Sequence, residues 1–200
     1  MQREYLQQNV YEALQERFEF LFQEFENIYV SFSGGKDSGL LLNLLIDYKR
    51  AHYPDRVIGV FHQDFEAQYT VTTEYITRTF QRLLPEIEPY WICLPMATRT
   101  ALSSYEMYWY PWDDRKPELW VRPMPVYPYV ISLEKPFRYY HYRMHQEDLA
   151  KQFGRFYRDE RPRQNSVPVG NAGGRVPAAV QRFCEYEIWL QRCVLDLQAV

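Results

Sequence analysis

Hydrophobic residues recur at helical spacing near the start of the chain. Glutamine and glutamate fill the positions between them, as in a helix with one buried and one solvated face. This pattern predicts an amphipathic helix over residues 6–26. The apolar positions that define it are Val10, Leu14, Phe18, Leu21, Phe22 and Phe25.

Three short apolar runs follow and alternate with two further helical patterns. The runs cover residues 28–32, 57–61 and 90–94, and the helical patterns end near His52 and cover 69–84. Continuous apolar strands are typical of a parallel sheet that is covered on both faces. The alternation therefore predicts an α/β domain, with a parallel sheet of at least three strands and helices on both faces.

The second half of the chain is less regular. Residues 105–140 are dense in tyrosine, tryptophan and proline, and they predict an irregular, aromatic-rich excursion, before a helical pattern over 144–158. We predict an α/β domain over 1–158, a linker-like segment over 159–177 and a C-terminal helix over 178–200.

Composition narrows the class of protein. The chain has 200 residues and a net charge of −3, so nucleic-acid binding would need a local basic patch. No apolar run is long enough to span a membrane, and the charged N-terminus lacks a signal-peptide core, so we expect a cytoplasmic protein without a membrane partner. The cysteines, Cys93, Cys184 and Cys193, are odd in number and lack CxxC spacing. This argues against a disulfide framework, an iron–sulfur cluster and a structural zinc site.

The strongest chemical signal is the sequence SFSGGKDS, which joins the first predicted strand to the second helix. Adjacent glycines allow close backbone approach to a ligand, and a helix N-terminus attracts anions. Ser33 and Ser38 can donate to phosphate oxygens, Lys36 adds a positive charge, and Asp37 can cap amides or hold Mg²⁺. The motif lacks the spacing of a Walker A loop. The alternative is a plain turn whose serine and aspartate only cap the helix.

The residues of this loop also carry a family resemblance. SGGKDS after an apolar strand resembles the pyrophosphate-binding loop, or PP-loop, of the adenine nucleotide α-hydrolase-like superfamily. Within it, the chain is similar to the phosphoadenosine phosphosulfate (PAPS) reductase family, and most to PAPS sulfotransferase-like proteins, including the immunoglobulin-binding regulator type. Residues 60–69 and 109–125 add weaker likeness, and the resemblance covers about residues 8–158.

The resemblance implies a site for ATP or PAPS together with Mg²⁺. It places the phosphates on a loop whose residues are Ser33, Gly34, Gly35, Lys36, Asp37 and Ser38. The adenine is expected near Phe61 to Asp64, with Glu66 close by and Arg122 as a cation that faces the ligand. Lys36, Asp37 and Asp64 are the candidate catalytic residues, and Asp37 and Asp64 are the candidate Mg²⁺ ligands. Alternatively, Asp64 and Glu66 only place negative charge before the helix at 69–84.

The chain departs from the family after its aromatic segment. It lacks the C-terminal cysteine motif of PAPS reductases, and Cys193 occupies an apolar helical position. Residues 159–200 also lack the expected Arg-and-acid motif, so we expect a truncated or replaced end. The predicted activity is adenylyl or sulfo transfer, or cleavage at the α-phosphate. The alternatives are a nucleotide-sensing module that acts with a partner such as a ParB-like protein, and an inactive relative.

Two other groups of residues have competing interpretations. His141 and His145 have i, i+4 spacing, which suits a metal site or an exposed helix end. The tryptophans of the aromatic segment, with Arg115, either stack on a base or form a small core above the sheet. These tryptophans are Trp109, Trp112 and Trp120.

Overall fold

The computed structural model describes residues 8–161 of the chain. The predicted C-terminal helix, Cys184, Cys193 and all but the first three residues of the predicted linker at 159–177 lie outside this range. The elements are α1 (Val10–Glu24), β1 (Tyr29–Ser31), α2 (Lys36–His52), β2 (Ile58–Gln63), α3 (Thr70–Leu83), β3 (Ile87–Ile92), β4 (Thr98–Arg99), β5 (Tyr108–Trp109), a 3₁₀ turn (Pro117–Leu119), β6 (Val130–Ile131) and α4 (Gln146–Asp159).

Four strands form a parallel sheet in the order β1-β2-β3-β6. Val30 of β1 is paired with Val60 of β2, and Phe61 of β2 with Tyr90 of β3. Strand β1 thus lies at one edge of the sheet, with β2 and then β3 beside it. Because the strands are parallel, the loops after β1, β2 and β3 emerge at the same edge of the sheet, which we call the carboxyl edge. The predicted α/β architecture with a parallel sheet flanked by helices is confirmed.

Successive residues of the sheet face different helices. The Phe80 ring of α3 packs against Trp91 with ring centroids 5.7 Å apart. On the other face, Phe153 of α4 lies 4.3 Å from Phe61 and 5.1 Å from Tyr90. This alternation follows from the two-residue period of a strand, which directs neighbouring side chains to opposite faces. None of the helices within residues 8–161 is long and apolar enough to span a membrane.

Strand β3 begins earlier than the predicted run at 90–94 and includes Pro89. Proline has no N–H and is normally excluded from central strands. The carbonyls of Glu86 and Ile92 accept from backbone N–H groups on the β2 side, and the N–H of Trp91 donates to Tyr129 on the β6 side. Backbone groups therefore alternate along β3, and odd-numbered residues such as Pro89 face β6. Strand β6 pairs only with Trp91 and Ile92, and the proline therefore breaks no ladder bond.

The aromatic excursion contains more regular structure than its composition indicates. Strands β4 and β5 form a small antiparallel hairpin, and β6 adds the fourth strand of the main sheet. Each of these strands has only two residues. Such short strands carry no readable period, so their formation depends on the neighbours that they pair with.

Gly59 of β2 provides a stability test. A Cβ at this position would lie 2.6 Å from the ring of Tyr157, whose hydroxyl donates to the Ile28 carbonyl at 2.9 Å. We expect Gly59→Ala to lower the free energy of unfolding by about 1–3 kcal/mol, the usual cost of overpacking, as measured by urea denaturation. The control is Gly154→Ala, whose added carbon meets only the hydroxyl end of Tyr29, at 3.0 Å. Equal stability of the two variants would contradict the prediction.

Candidate functional site

The loop with the sequence SGGKDS lies at the carboxyl edge, where open α/β sheets bind ligands. It leaves β1 and enters α2, with Gly35 as the N-cap and Lys36 as the first helical residue. The first N–H groups of a helix have no partner within the helix, and the helix dipole adds partial positive charge there. The loop therefore places exposed N–H groups and the exposed Lys36 side chain at one point.

Gly34 is required by both conformation and space. Its φ angle is +81°, in the left-handed region that favours glycine. A Cβ here would lie 2.8 Å from Cδ1 of Ile76 and 3.0 Å from Cγ2 of Thr72. The loop thus packs directly on α3, and a side chain at this position would push the two apart.

Two serine hydroxyls form hydrogen bonds within the loop. The Oγ atoms of Ser33 and Ser38 lie 3.0 Å apart, and Ser38 Oγ donates to the Gly35 carbonyl at 3.1 Å. Ser33 Oγ also accepts from the Gly35 N–H at 3.3 Å. These contacts hold the turn in a defined conformation within residues 33–38.

Asp64, which follows β2, has a fully buried carboxylate. Its oxygens accept from Nη2 of Arg122 at 2.5 and 2.7 Å, from Nε1 of Trp91 at 2.6 Å and from the Glu66 N–H at 2.7 Å. A Mg²⁺ ligand needs an oxygen open to the ion. The observed contacts therefore do not favour the predicted catalytic and Mg²⁺-binding roles of Asp64, and they make it the counter-ion of Arg122.

Glu66 has a similar structural function. Its backbone adopts the left-handed conformation, with φ of 63°, and its side chain is buried. One carboxylate oxygen accepts from the backbone N–H of Trp112 and the other from the backbone N–H of Val121, each at 2.9 Å. Glu66 thus attaches two parts of the aromatic excursion to the loop after β2, which differs from the predicted contact with nucleotide.

Arg122 completes this buried cluster. Besides its contacts with Asp64, it donates from Nε to the Glu66 carbonyl at 2.9 Å, and its guanidinium lies 4.9 Å from the centroid of the Trp112 ring. Only 16% of its side chain is exposed. The structure therefore gives Arg122 internal partners in place of the predicted role as a cation that faces the ligand.

The ring of Phe61 lies on the face of the sheet that α4 covers, although its backbone bonds to Phe32 next to the loop. Its ring is buried beneath α4, in contact with Phe153, so it does not line the carboxyl edge as an adenine platform would. The aromatic segment is partly a small core, as one of the two interpretations stated. Trp112 is fully buried and packs edge-on against Trp120 at 5.2 Å, while Arg115 lies over the ring of Tyr142.

One residue of the edge, His62, was not singled out from the sequence. His62 is fully buried, its Nδ1 lies 2.7 Å from the Phe32 carbonyl oxygen, and its ring meets Trp91 edge-on at 5.2 Å. Burial lowers the pKa of His62 below its ordinary value. The only signal in the sequence was a histidine directly after the apolar run at 57–61.

The cysteine at this edge is not prepared for nucleophilic chemistry. Cys93 is buried, and its Sγ lies 3.8 Å from an Asp64 carboxylate oxygen. Burial and this neighbouring negative charge raise the pKa of the thiol well above its usual range. The thiolate is the reactive form, so this group stays protonated at neutral pH.

Metal ligands are not clustered in the part of the chain that the structure describes. Residues 8–161 contain no group of three or more histidine, cysteine, aspartate or glutamate side chains arranged to hold a metal ion. His145 instead packs edge-on against Tyr108, with ring centroids 5.2 Å apart. Asp37 is half-buried in the first turn of α2.

Comparison with known proteins shows a similarity over most of the described residues. The chain is 33% identical over 157 residues to the uncharacterized protein YbdN of Escherichia coli strain K12. The alignment covers 77% of this chain and 37% of YbdN, so the chain spans little more than a third of that relative. No family model matches the chain. No solved structure matches it either.

The buried pair of Arg122 and Asp64 leads to a first prediction for this site. Arg122→Met leaves a buried carboxylate without its counter-ion, so we expect a loss of about 3–5 kcal/mol in the free energy of unfolding. The double variant Asp64→Asn/Arg122→Met should recover part of this loss, because it removes the Asp64 charge that Arg122→Met leaves without a counter-ion. The control is Arg115→Met, at an exposed position of the same segment. Urea denaturation measures all three, and equal losses in the two single variants would contradict the assignment.

The buried imidazole of His62 leads to a second prediction. The unfolded chain binds a proton at His62 near its ordinary pKa of about 6.5, whereas the folded chain does so only at lower pH. The unfolded state thus binds more protons, and this contribution to stability is lost as pH falls below about 6.5. We expect a slope of up to about 1.4 kcal/mol per pH unit that His62→Asn removes. Urea denaturation from about pH 7 to pH 5 tests this, and parallel profiles would contradict it.

Proposed function

We propose that this chain binds an adenine nucleotide, ATP or PAPS, with its phosphates on the loop between β1 and α2. One observation carries the proposal: the loop joins a left-handed glycine, two mutually bonded serine hydroxyls and an exposed lysine at a helix N-terminus. The glycine conformation, the helix N-terminus and Lys36 suit a phosphate as they stand, and the two hydroxyls would exchange their internal bonds for bonds to it. Together these features match the family resemblance of SGGKDS. The resemblance, rather than the geometry, supports adenine as the base.

The proposed chemistry is attack at the α-phosphate. An oxygen of an acceptor forms a new bond to that phosphorus, the bond to the bridging oxygen breaks, and pyrophosphate leaves. Ser33, Ser38 and the first N–H groups of α2 would bind the leaving phosphates, and Lys36 would offset their growing charge. Mg²⁺, when bound with the nucleotide, would supply further charge neutralisation, and Asp37 fits it as a ligand. With PAPS, the acceptor oxygen would instead form a bond to sulfur, the bond between sulfur and the 5′-phosphate oxygen would break, and adenosine 3′,5′-bisphosphate would leave.

Nucleotide sensing without turnover is the second candidate. Asp64 and Glu66, the carboxylates predicted for the site, are committed to Arg122 and to backbone N–H groups. Neither is therefore placed to act as a general base. A chain that binds nucleotide and changes the affinity of a partner protein would need only the loop.

Calorimetric titration distinguishes these functions. The purified chain is titrated with ATP and with PAPS, each with Mg²⁺, and any pyrophosphate released is assayed in parallel. Binding of ATP with pyrophosphate release supports α-phosphate chemistry, and binding without release supports sensing. Tighter binding of PAPS supports sulfo transfer or sensing of PAPS. A folded chain that binds neither nucleotide would overturn the proposal.

Lys36 allows a targeted test of the loop. Lys36→Ala removes an exposed cation from the first turn of α2, and we expect roughly 10- to 100-fold weaker binding of ATP, the usual loss for a charge-assisted hydrogen bond. Lys135→Ala changes another exposed lysine, outside the loop, and should leave the affinity unchanged. Unchanged stability of both variants would show that the effect concerns binding. Equal affinities would place the phosphates elsewhere.

A further inference from the structure

His62 connects the sheet to the start of the phosphate-binding loop. Its Nδ1 lies 2.7 Å from the carbonyl oxygen of Phe32, the residue immediately before Ser33. A carbonyl oxygen can only accept, so Nδ1 must carry the proton in this contact. The second ring nitrogen, Nε2, is buried without a hydrogen-bond partner among residues 8–161. The contact requires a proton on Nδ1, and a second proton on the buried, unpartnered Nε2 would be a charge without a hydrogen bond, so the two observations together favour the neutral Nδ1–H tautomer.

A connected set of contacts fixes the orientation of this ring. His62 is paired with Trp91 in the sheet, and the two rings meet at an interplanar angle of 88°. The indole N–H of Trp91 donates to Asp64, and Asp64 is held by Arg122. The imidazole therefore contacts Trp91 of β3, which is itself anchored through Asp64 to the aromatic excursion. Its Nδ1 bonds to Phe32, which follows β1 and precedes the loop.

The position of the Phe32 carbonyl matters because the chain bends sharply just after it. Phe32 donates its own N–H to the Phe61 carbonyl at 2.8 Å, which fixes one side of its backbone. Two residues later Gly34 adopts its left-handed conformation against Ile76. The bond from His62 fixes the carbonyl between these two points and so sets the direction in which the loop leaves β1.

We propose that His62 is a positioning residue for the loop of residues 33–38, which it orients by donating from Nδ1 to the Phe32 carbonyl. Its effect on nucleotide binding rests on the proposed function, whereas its effect on the loop does not. His62 touches no ligand in this role. Trp91, Asp64 and Arg122 hold the ring at the angle that the bond requires.

The tautomer gives a direct test in the unaltered protein. Nitrogen-15 NMR of the chain labelled at histidine distinguishes a protonated from an unprotonated ring nitrogen. Near neutral pH we expect His62 to be neutral, with its proton on Nδ1. A neutral ring with its proton on Nε2 leaves Nδ1 without a hydrogen to donate and would overturn the proposal.

Two variants test the effect on the loop. Asparagine places an amide N–H near the position of Nδ1, whereas leucine fills the space without a donor. We expect His62→Leu to raise amide hydrogen exchange by about tenfold at residues 33–38, relative to the core of β2, and His62→Asn to remain close to the wild type. His141→Leu, at an exposed position, is the control. Equal exchange in the leucine and asparagine variants, or acceleration spread evenly over the sheet, would overturn the proposal.

Titration with ATP then separates the two proposals. If the wild type binds ATP, His62→Leu should weaken binding by about tenfold and His62→Asn should restore most of it. Loss of binding in both variants would overturn the positioning role. If the wild type binds neither ATP nor PAPS, the proposed function fails, and the tautomer and the exchange rates still decide the role of His62.

Discussion

The buried carboxylate of Asp64 constrains the whole carboxyl edge of the sheet. A charge without access to water is costly unless hydrogen bonds and an opposite charge replace its hydration. Here the donors come from three separate parts of the chain: the neighbouring backbone at Glu66, the indole of Trp91 in β3, and the guanidinium of Arg122 in the aromatic excursion. The excursion must therefore lie over this edge, because only there can Arg122 reach the carboxylate.

This constraint divides the edge into two parts with different chemistry. The loop after β1 is exposed and presents N–H groups, hydroxyls and a lysine, all suited to an anion. The loop after β2 is closed, since its two carboxylates face inward and bind the excursion. The proposed binding and the attachment of the aromatic excursion thus belong to different loops. Of the two acidic residues, Asp64 is connected to the first loop through Trp91 and His62.

The arrangement also explains the use of left-handed backbone at this edge. Gly34 takes that conformation without cost and lets the loop pack on α3. Glu66 takes it with a side chain present, where the conformation is unfavourable. Two hydrogen bonds from distant N–H groups to its carboxylate offset that cost, and they hold the excursion in place.

The sequence alone determined what local patterns encode. The end of α2 at His52, the alternation of strands and helices, and the turn at SGGKDS each depend on residues close in the chain, so they could be predicted. The tertiary structure decided the rest. β6 exists because β3 offers it a partner, and Pro89 fits because β6 is short. Asp64 and Arg122 were both identified as functional candidates, yet they lie 58 positions apart, and no local pattern shows that they neutralise each other. His62 was missed for the same reason, because its hydrogen bond to Phe32 exists only once two strands are paired.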